Sequence, residues 1–296
     1  MMKPNTHLEH PEDLILTGET WVLDSFYQEA TISQKIDGAP AIVFGTHPQT
    51  GKFFVSTKSA FNKKKFKFCY TLQDIDRHFG HIPEVANILL VSWLYLPRVD
   101  GVYQGDFIGF GGTDTYKPNT LTYKFDEVVT EKLVFAVHTR YLTDAATPLW
   151  QTGSEPCLEA PASAPGVRWV QPIVDRLAPQ GAAPSVAAGV QFLTAKEAAQ
   201  AKVAINALIK SGQEVDDETL VDILDGNTQL ANLYQLVIDM KNTVLDNVIV
   251  YDAPKSYIGD ERVQGEGFVY HHKCGSFKVV NRKQFSYANF TQGKFQ

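Results

Sequence analysis

The chain has 296 residues, 44% hydrophobic and 20% charged, with a formal net charge of −6 and a mean hydropathy of −0.16. This is the composition of one large or two small globular domains, too apolar for disorder, and no run of about 18 apolar residues marks a membrane span. Cys69, Cys157 and Cys274 are odd in number and widely spaced with no CxxC, which argues against a disulfide framework or zinc knuckle and fits a reducing cytoplasm.

The opening MMKPNTHLEHPEDL is polar and lacks the apolar stretch of a signal peptide. ATISQKI and APAIVFG flank an Asp-Gly turn, and GKFFVSTKS follows the polar THPQTG, a β-hairpin pattern. A helix is predicted to open at Thr71 with Asp74 in its first turn, and another to run from Pro83 through EVANILLVSWLYL. GVYQGDFIGF, NTLTYKF and KLVFAVHTRY are further strand-like runs. Residues 144–193 are Ala/Pro/Gly-rich and aperiodic, which predicts a mobile loop or linker. Thr194-x-x-Glu197 is a capping box for a helix closing on Gly212. Leu230, Leu233, Val237, Met240 and Val244 form the apolar stripe of a second helix behind a Thr228 cap, packed on a neighbouring sheet. GEGFVYHH, a Lys-Cys-Gly turn and SFKVVNR return to strand.

Charge is segregated. Residues 144–261 hold 16 acidic and 7 basic side chains, net −9, against 17 acidic and 20 basic elsewhere, net +3. The expected organisation is an α+β body over 1–143 and 262–296, interrupted by an acidic insert over 144–261. The insert comprises the loop at 144–193 and helices at 194–248. Within the body, Lys58, Lys63, Lys64, Lys65 and Lys67 are interleaved with Phe61, Phe66 and Phe68.

Four segments carry chemistry when read together. Lys35-Ile36-Asp37-Gly38 puts a lysine at a strand end before a glycine turn. Its amine can act as a nucleophile once desolvation or nearby positive charge lowers its pKa. Alone, the tetrapeptide is a weak signal and reads as a surface hairpin turn with an exposed lysine. Gln104-Gly105-Asp106-Phe107 places a carboxylate within a strand, and Glu266-Gly267-Phe268-Val269 heads another. Phe277-Lys278-Val279-Val280 adds a second lysine. The pairs His7 with His10 and His271 with His272 have no cysteine or HExxH context, so they read as surface or sheet-packing residues.

In this order the segments resemble the covalent nucleotidyltransferase superfamily of polynucleotide ligases and messenger-RNA capping enzymes. There K-x-D-G is followed by an acidic strand, an aromatic strand, E-G-x-V and a lysine strand. Here the series is SQKIDGAP, VYQGDFIGF, KLVFAVHTRY, GEGFVYHH and SFKVVNR, spanning Lys35 to Arg282. Ala39, Thr57-Lys58-Ser59 and EGFV are most similar to the phage RNA ligases. Proteins of large phages also carry stretches similar to HLEHPEDL and FNKKKFK.

The resemblance implies an ATP-grasp-like ligase domain of antiparallel sheets flanked by helices, using ATP and Mg²⁺, which Mn²⁺ can replace. Lys35 would carry AMP as a phosphoramidate, and the Lys278 charge would favour its neutral amine and offset phosphate charge. Glu266 and Asp106 would serve the metal, Asp106 also the ribose. Adenine would lie between Val269 and Phe135, selected by main-chain groups beside Gln34. Asp37 and Gly38 would edge this site, and Lys58 would contact phosphate. Lys63, Lys64, Lys65 and Lys67 would form a track for polynucleotide, or simply a solvated face.

The implied activity is RNA ligation in the cytoplasm, a host's if the gene is a phage's. Minimal DNA nick ligation and non-catalytic nucleotide or nucleic-acid binding are the alternatives. Three departures stand out: Pro40 where ligases usually carry arginine, Val280 in place of a second strand lysine (Lys283 follows), and Asp106 instead of glutamate. Fourteen residues follow Arg282, too few for the C-terminal OB-fold of DNA ligases and capping enzymes. The acidic insert suits a lid, a buttress or a protein interface better than a phosphate grip.

Overall fold

A computed structural model describes residues 7–27, 30–176, 186–282 and 284–285. α1 (Pro11–Ile15) carries a proline in its first turn, where the missing N–H would have no helical partner, and α2 (Trp21–Tyr27) follows. β1 (Thr31–Gln34) leads into the Lys35 segment. β2 (Ala41–Thr46) and β3 (Phe53–Thr57) form the hairpin expected around THPQTG, with Val43 opposite Ser56. α3 (Leu72–Phe79) opens on Thr71 through a complete capping box with Asp74, and α4 (Pro83–Tyr95) begins at its expected proline.

β4 (Val102–Phe110), β5 (Thr115–Tyr116), β6 (Thr122–Lys124) and β7 (Leu133–Leu142) come next. They are followed by β8 (Gly153–Pro156), β9 (Val167–Trp169) and β10 (Ile173–Arg176). These last three correct the expectation of a mobile loop over 144–193. β8 and β9 take their order from β7, and β10 from a strand at Val248–Tyr251, partners that local composition does not register. Residues 177–185 of that stretch lie outside the described residues.

α5 (Ala195–Lys210) has the expected Thr194–Glu197 capping box, and Gly212 just beyond it has φ +75°, a left-handed conformation without penalty for glycine. α6 (Asp217–Ile223) and α7 (Thr228–Asn247) follow. The cap of α7 is Asn227, whose side-chain oxygen accepts the Leu230 N–H, rather than the expected Thr228. Both residue types cap well, and the helix starts one position earlier than its apolar stripe suggests. β11 (Val248–Tyr251), β12 (Lys255–Ile258), β13 (Glu261–Val263), β14 (Gly267–His272) and β15 (Gly275–Val280) complete the described strands. Lys283 lies outside the described residues.

The α+β class is as expected, but the division of the chain is not. One unit is built mainly from Ile36–Pro172 and Asp252–Gly265. Its larger sheet has the antiparallel order β3-β2-β4-β7-β8, with β9 parallel beside β7, and its smaller sheet runs β13-β12-β6-β5. Ile42, Phe44, Phe107 and Phe135 pack there with Ile75 and Phe79 of α3 and Leu89 of α4. The other unit takes Leu8–Lys35, Ile173–Tyr251 and the chain from Glu266 onward. In its sheet β1-β14-β15, the side chains of Phe268, Tyr270, Phe277 and Val279 are buried with Phe26, Leu230, Tyr234 and Val237. Each such side chain contributes roughly 1.5–3 kcal/mol through burial.

Two expectations therefore fail. The strands either side of the Asp-Gly turn do not pair, because β1 and β2 enter different sheets. The acidic stretch 144–261 is not a separate body either. β8 and β9 extend the first unit's sheet, and α5, α6 and α7 supply the core around β14 and β15.

The second unit also buries a charged cluster. Lys241 Nζ donates to the Glu12 carboxylate. Arg282 Nη1 donates to Asp13 Oδ1 at 3.0 Å and Glu12 Oε1 at 3.3 Å, while its Nη2 donates to Asn206 Oδ1 at 2.8 Å. Burial pushes the Glu12 carboxyl up, but the Lys241 and Arg282 charges outweigh it and hold the group below its usual range. Asp13, dominated by burial, is raised.

Candidate functional site

In the second unit, strand register brings three of the expected residues together. β1 and β14 are antiparallel with Gln34 opposite Phe268, and the Lys35 N–H continues the ladder by donating to the Gly267 carbonyl at 2.8 Å. On β15, Lys278 stands opposite Val269. Phe268 and Tyr270 are in the core, so the alternation of a strand sends Val269 to the other face, with Lys278 between buried Phe277 and Val279. Lys35 Nζ donates to Glu266 Oε2, with the two side chains 25% and 15% exposed. Lys35 and Glu266 are thus reachable by a solute while held in one geometry.

Gly267 makes this arrangement feasible. Its φ is +141°, and a Cβ there would lie 2.1 Å from the Val279 carbonyl oxygen. A side chain would push β14 off β15 immediately after Glu266, so glycine is needed for the carboxylate to head the strand.

Lys278 is the electrostatically strained member. Burial pushes its pKa down, the nearby Lys35 charge pushes it further, and the opposing Glu266 and Glu9 carboxylates do not restore it. The result is Lys35, Glu266 and Lys278 around one sheet end, with Glu9 also acting on Lys278 and the charged form of Lys278 less favoured than in water.

The first unit holds a second group of expected residues. The Asp37 N–H donates to Tyr123 Oη at 2.7 Å, and Asp37 Oδ2 accepts from Asn119 Nδ2 at 2.7 Å. Gly38 lies against β4: a Cβ on it would be 2.5 Å from the Phe107 carbonyl oxygen and 2.9 Å from Asp106 Cβ. Asp106 Oδ1 is 3.8 Å from His138 Nε2. Tyr123, Asn119 and His138 were not singled out from the sequence. No motif spacing marks them, because each meets its partner only through the fold.

Several expected roles are altered. Phe135 is 0% exposed, packed edge-on against Phe44 and Trp169, and offers no free ring face to a base. Its strand alternates faces, and Phe135 falls on the one that packs against α3 and α4. Lys58 is exposed at the start of a 3₁₀ turn, Lys58–Phe61, capped by the Thr57 hydroxyl. The lysine run is divided. Lys63 Nζ lies 4.8 Å over the Trp150 ring, Lys64 and Lys65 are exposed, but Lys67 turns away. Its Nζ donates to the His78 carbonyl at 3.0 Å and sits over Phe79, so that ammonium is committed to α3. Sheet packing explains the later histidine pair: His271 meets the Ser33 and Ser276 hydroxyls, and His272 stacks on Trp21.

Among the described residues, no group of three or more His, Cys, Asp or Glu side chains is placed to hold a metal ion. No helix among them is long and apolar enough to cross a membrane. A family described as of unknown function, DUF6267, matches residues 5–176 and 193–294. The chain belongs to this family. No curated protein and no solved structure matches it. The DUF6267 match takes in both groups of site residues and most of the helical region between them.

Proposed function

We propose that this DUF6267 protein is an ATP-dependent polynucleotide ligase, acting on RNA through a lysyl-AMP on Lys35. The observation that carries the proposal is the Lys35–Glu266–Lys278 cluster. Lys35 meets Glu266, 231 positions away, and Lys278 of the adjoining strand at one end of one small sheet, each residue from a different motif of the ligase series. The antiparallel sheets with flanking helices are compatible with a nucleotidyltransferase domain. The choice of RNA rests on Thr57-Lys58-Ser59 and EGFV.

The chemistry follows from the groups present. Lys35 must lose a proton before it attacks, and the Glu266 carboxylate already accepts its hydrogen bond. The neutral amine attacks the α-phosphorus of ATP. A P–N bond forms, the bond to the bridging oxygen breaks, and pyrophosphate leaves. A 5′-phosphate oxygen of the RNA then displaces the Lys35 nitrogen and takes the AMP. A 3′-hydroxyl finally attacks the adenylated end, forming the phosphodiester and expelling AMP. Lys278 favours the neutral form of Lys35 by its charge and offsets phosphate charge.

Mg²⁺ would arrive with the nucleotide, supplying charge stabilisation to its phosphates. A hard cation of this kind keeps several waters and takes most of its other oxygens from the substrate phosphates. Glu266 is the carboxylate in this cluster suited to it. A second reading, nucleotide binding without covalent chemistry, is favoured by Val280, which is only 4% exposed where ligases carry a second lysine. Incubation with α-labelled ATP and a divalent cation separates the two: covalent label supports ligation, and binding without label supports the second. GTP run in parallel distinguishes ligase from capping chemistry.

A further inference from the structure

The first unit contains an aromatic pocket of which the sequence marks only the lysines beside it. His47, Phe66, Phe68 and Trp150 line it together with the polar side chains of Asn62 and Thr147. The rings are ordered against one another: His47 stands edge-on to Phe68 at 4.7 Å, and Phe66 lies 5.6 Å from Phe68. Phe66 is nevertheless 56% exposed, a phenyl ring open to solvent within a run of lysines. Burial lowers the His47 pKa, so that this wall of the pocket is neutral at pH 7.

The surroundings are cationic. Lys63 covers the Trp150 ring by a cation–π contact, and Lys64 and Lys65 are exposed on the same short segment as Phe66. The carboxylate of Asp144, in the same loop as Thr147, is occupied locally. It accepts from the Ala146 and Thr147 N–H groups and from the Thr147 hydroxyl. Apolar ring faces, a few amide and hydroxyl groups and a lysine rim together match a single-stranded nucleic acid, whose bases stack and whose phosphates pair with cations. A peptide with acidic side chains would meet the lysines but leave the ring faces without flat partners.

We propose that one base of a single strand enters this pocket and stacks on Phe66 or Trp150, with adjacent phosphates on Lys63, Lys64 and Lys65. On docking, Lys63 exchanges its contact with the indole for one with phosphate, uncovering the ring for the base. This subsite does not depend on Lys35 chemistry, and it assigns polynucleotide contact to Phe66 and Trp150 rather than to lysines alone.

The test is fluorescence anisotropy with a labelled single-stranded RNA of about ten nucleotides, against the full chain and variants. Phe66→Ala and Trp150→Leu should each weaken binding about tenfold. Lys64→Gln should lower the salt dependence by about one counterion. Polyphosphate, which has no bases, should bind wild type and Phe66→Ala equally, showing that the lysine surface is intact. An RNA of abasic residues should bind wild type as weakly as intact RNA binds Phe66→Ala. Binding is read without ATP, where no covalent step occurs, so failed covalent labelling and a failed subsite are separable. Unchanged RNA affinity in both ring variants overturns the proposal. So does abasic RNA binding as tightly as intact RNA, loss of polyphosphate binding in Phe66→Ala, or an acidic peptide that outcompetes RNA.

Discussion

The Lys35 amine donates a hydrogen bond to the carboxylate of Glu266, a residue 231 positions further along the chain. The contact follows from the pairing of β1 with β14: Gln34 lies opposite Phe268, the Lys35 N–H donates to the Gly267 carbonyl, and Glu266 directly precedes Gly267 at the sheet end. Lys278 on β15 completes the group and bears the electrostatic cost of the arrangement.

Replacing Glu266 by Gln removes both the acceptor for the Lys35 proton and the hard oxygen donor beside it. Covalent labelling by ATP should fall about 10²-fold or more, a scale typical for losing one charged partner of a reacting group. In wild type, chelating divalent cations should abolish label, and adding back Mg²⁺ should restore it. Full labelling of Glu266→Gln at low Mg²⁺ would remove Glu266 from the chemistry.

Lys278→Met should separate stability from activity. The folded protein disfavours the Lys278 ammonium, so its pKa lies below the ordinary 10.5 and the unfolded chain binds the proton more tightly. Wild-type stability is therefore reduced at neutral pH, and rises as pH increases through the folded pKa towards 10.5. The methionine variant should melt higher than wild type at pH 7, with the difference closing at high pH, while labelling falls about 10²-fold. A lower melting temperature at pH 7 would show that Lys278 is held by favourable pairing.

Arg282→Met should destabilise the chain by about 3–5 kcal/mol in urea unfolding, because Glu12 and Asp13 would keep their burial and lose a shared counter-charge. Glu12, with its pKa lowered, contributes stability above its ordinary 4.5 that is lost as pH falls through the lower folded value. That acid-dependent loss should shrink in the variant. A change under 1 kcal/mol would mean that the cluster is solvated or relaxes on substitution.

The motif residues were legible because each depends on a short local pattern: a lysine before a glycine turn, a glutamate heading a strand, a lysine within one. The helices were legible for the same reason, as the Thr71 and Thr194 capping boxes show. Long-range partnership was not. The stripe Leu230, Leu233, Val237 and Val244 announces an apolar face, but nothing local says that it is buried with β14 and β15 in one core. Glu12 and Asp13 sit in a polar opening that reads as surface, and their burial depends on Lys241 and Arg282, more than 200 residues away. Lys67 looks like its neighbours Lys64 and Lys65 until α3 supplies a carbonyl for it.

The central claim is that Lys35 is a nucleophile, and the most direct measurement is mass spectrometry of the protein after incubation with ATP and Mg²⁺. The account predicts the mass of one AMP moiety on the peptide carrying Lys35, acid-labile as a phosphoramidate, absent from Lys35→Ala and discharged by 5′-phosphorylated RNA. An unmodified Lys35 peptide under conditions that adenylate a known ligase, or AMP on another residue that persists in Lys35→Ala, would contradict it.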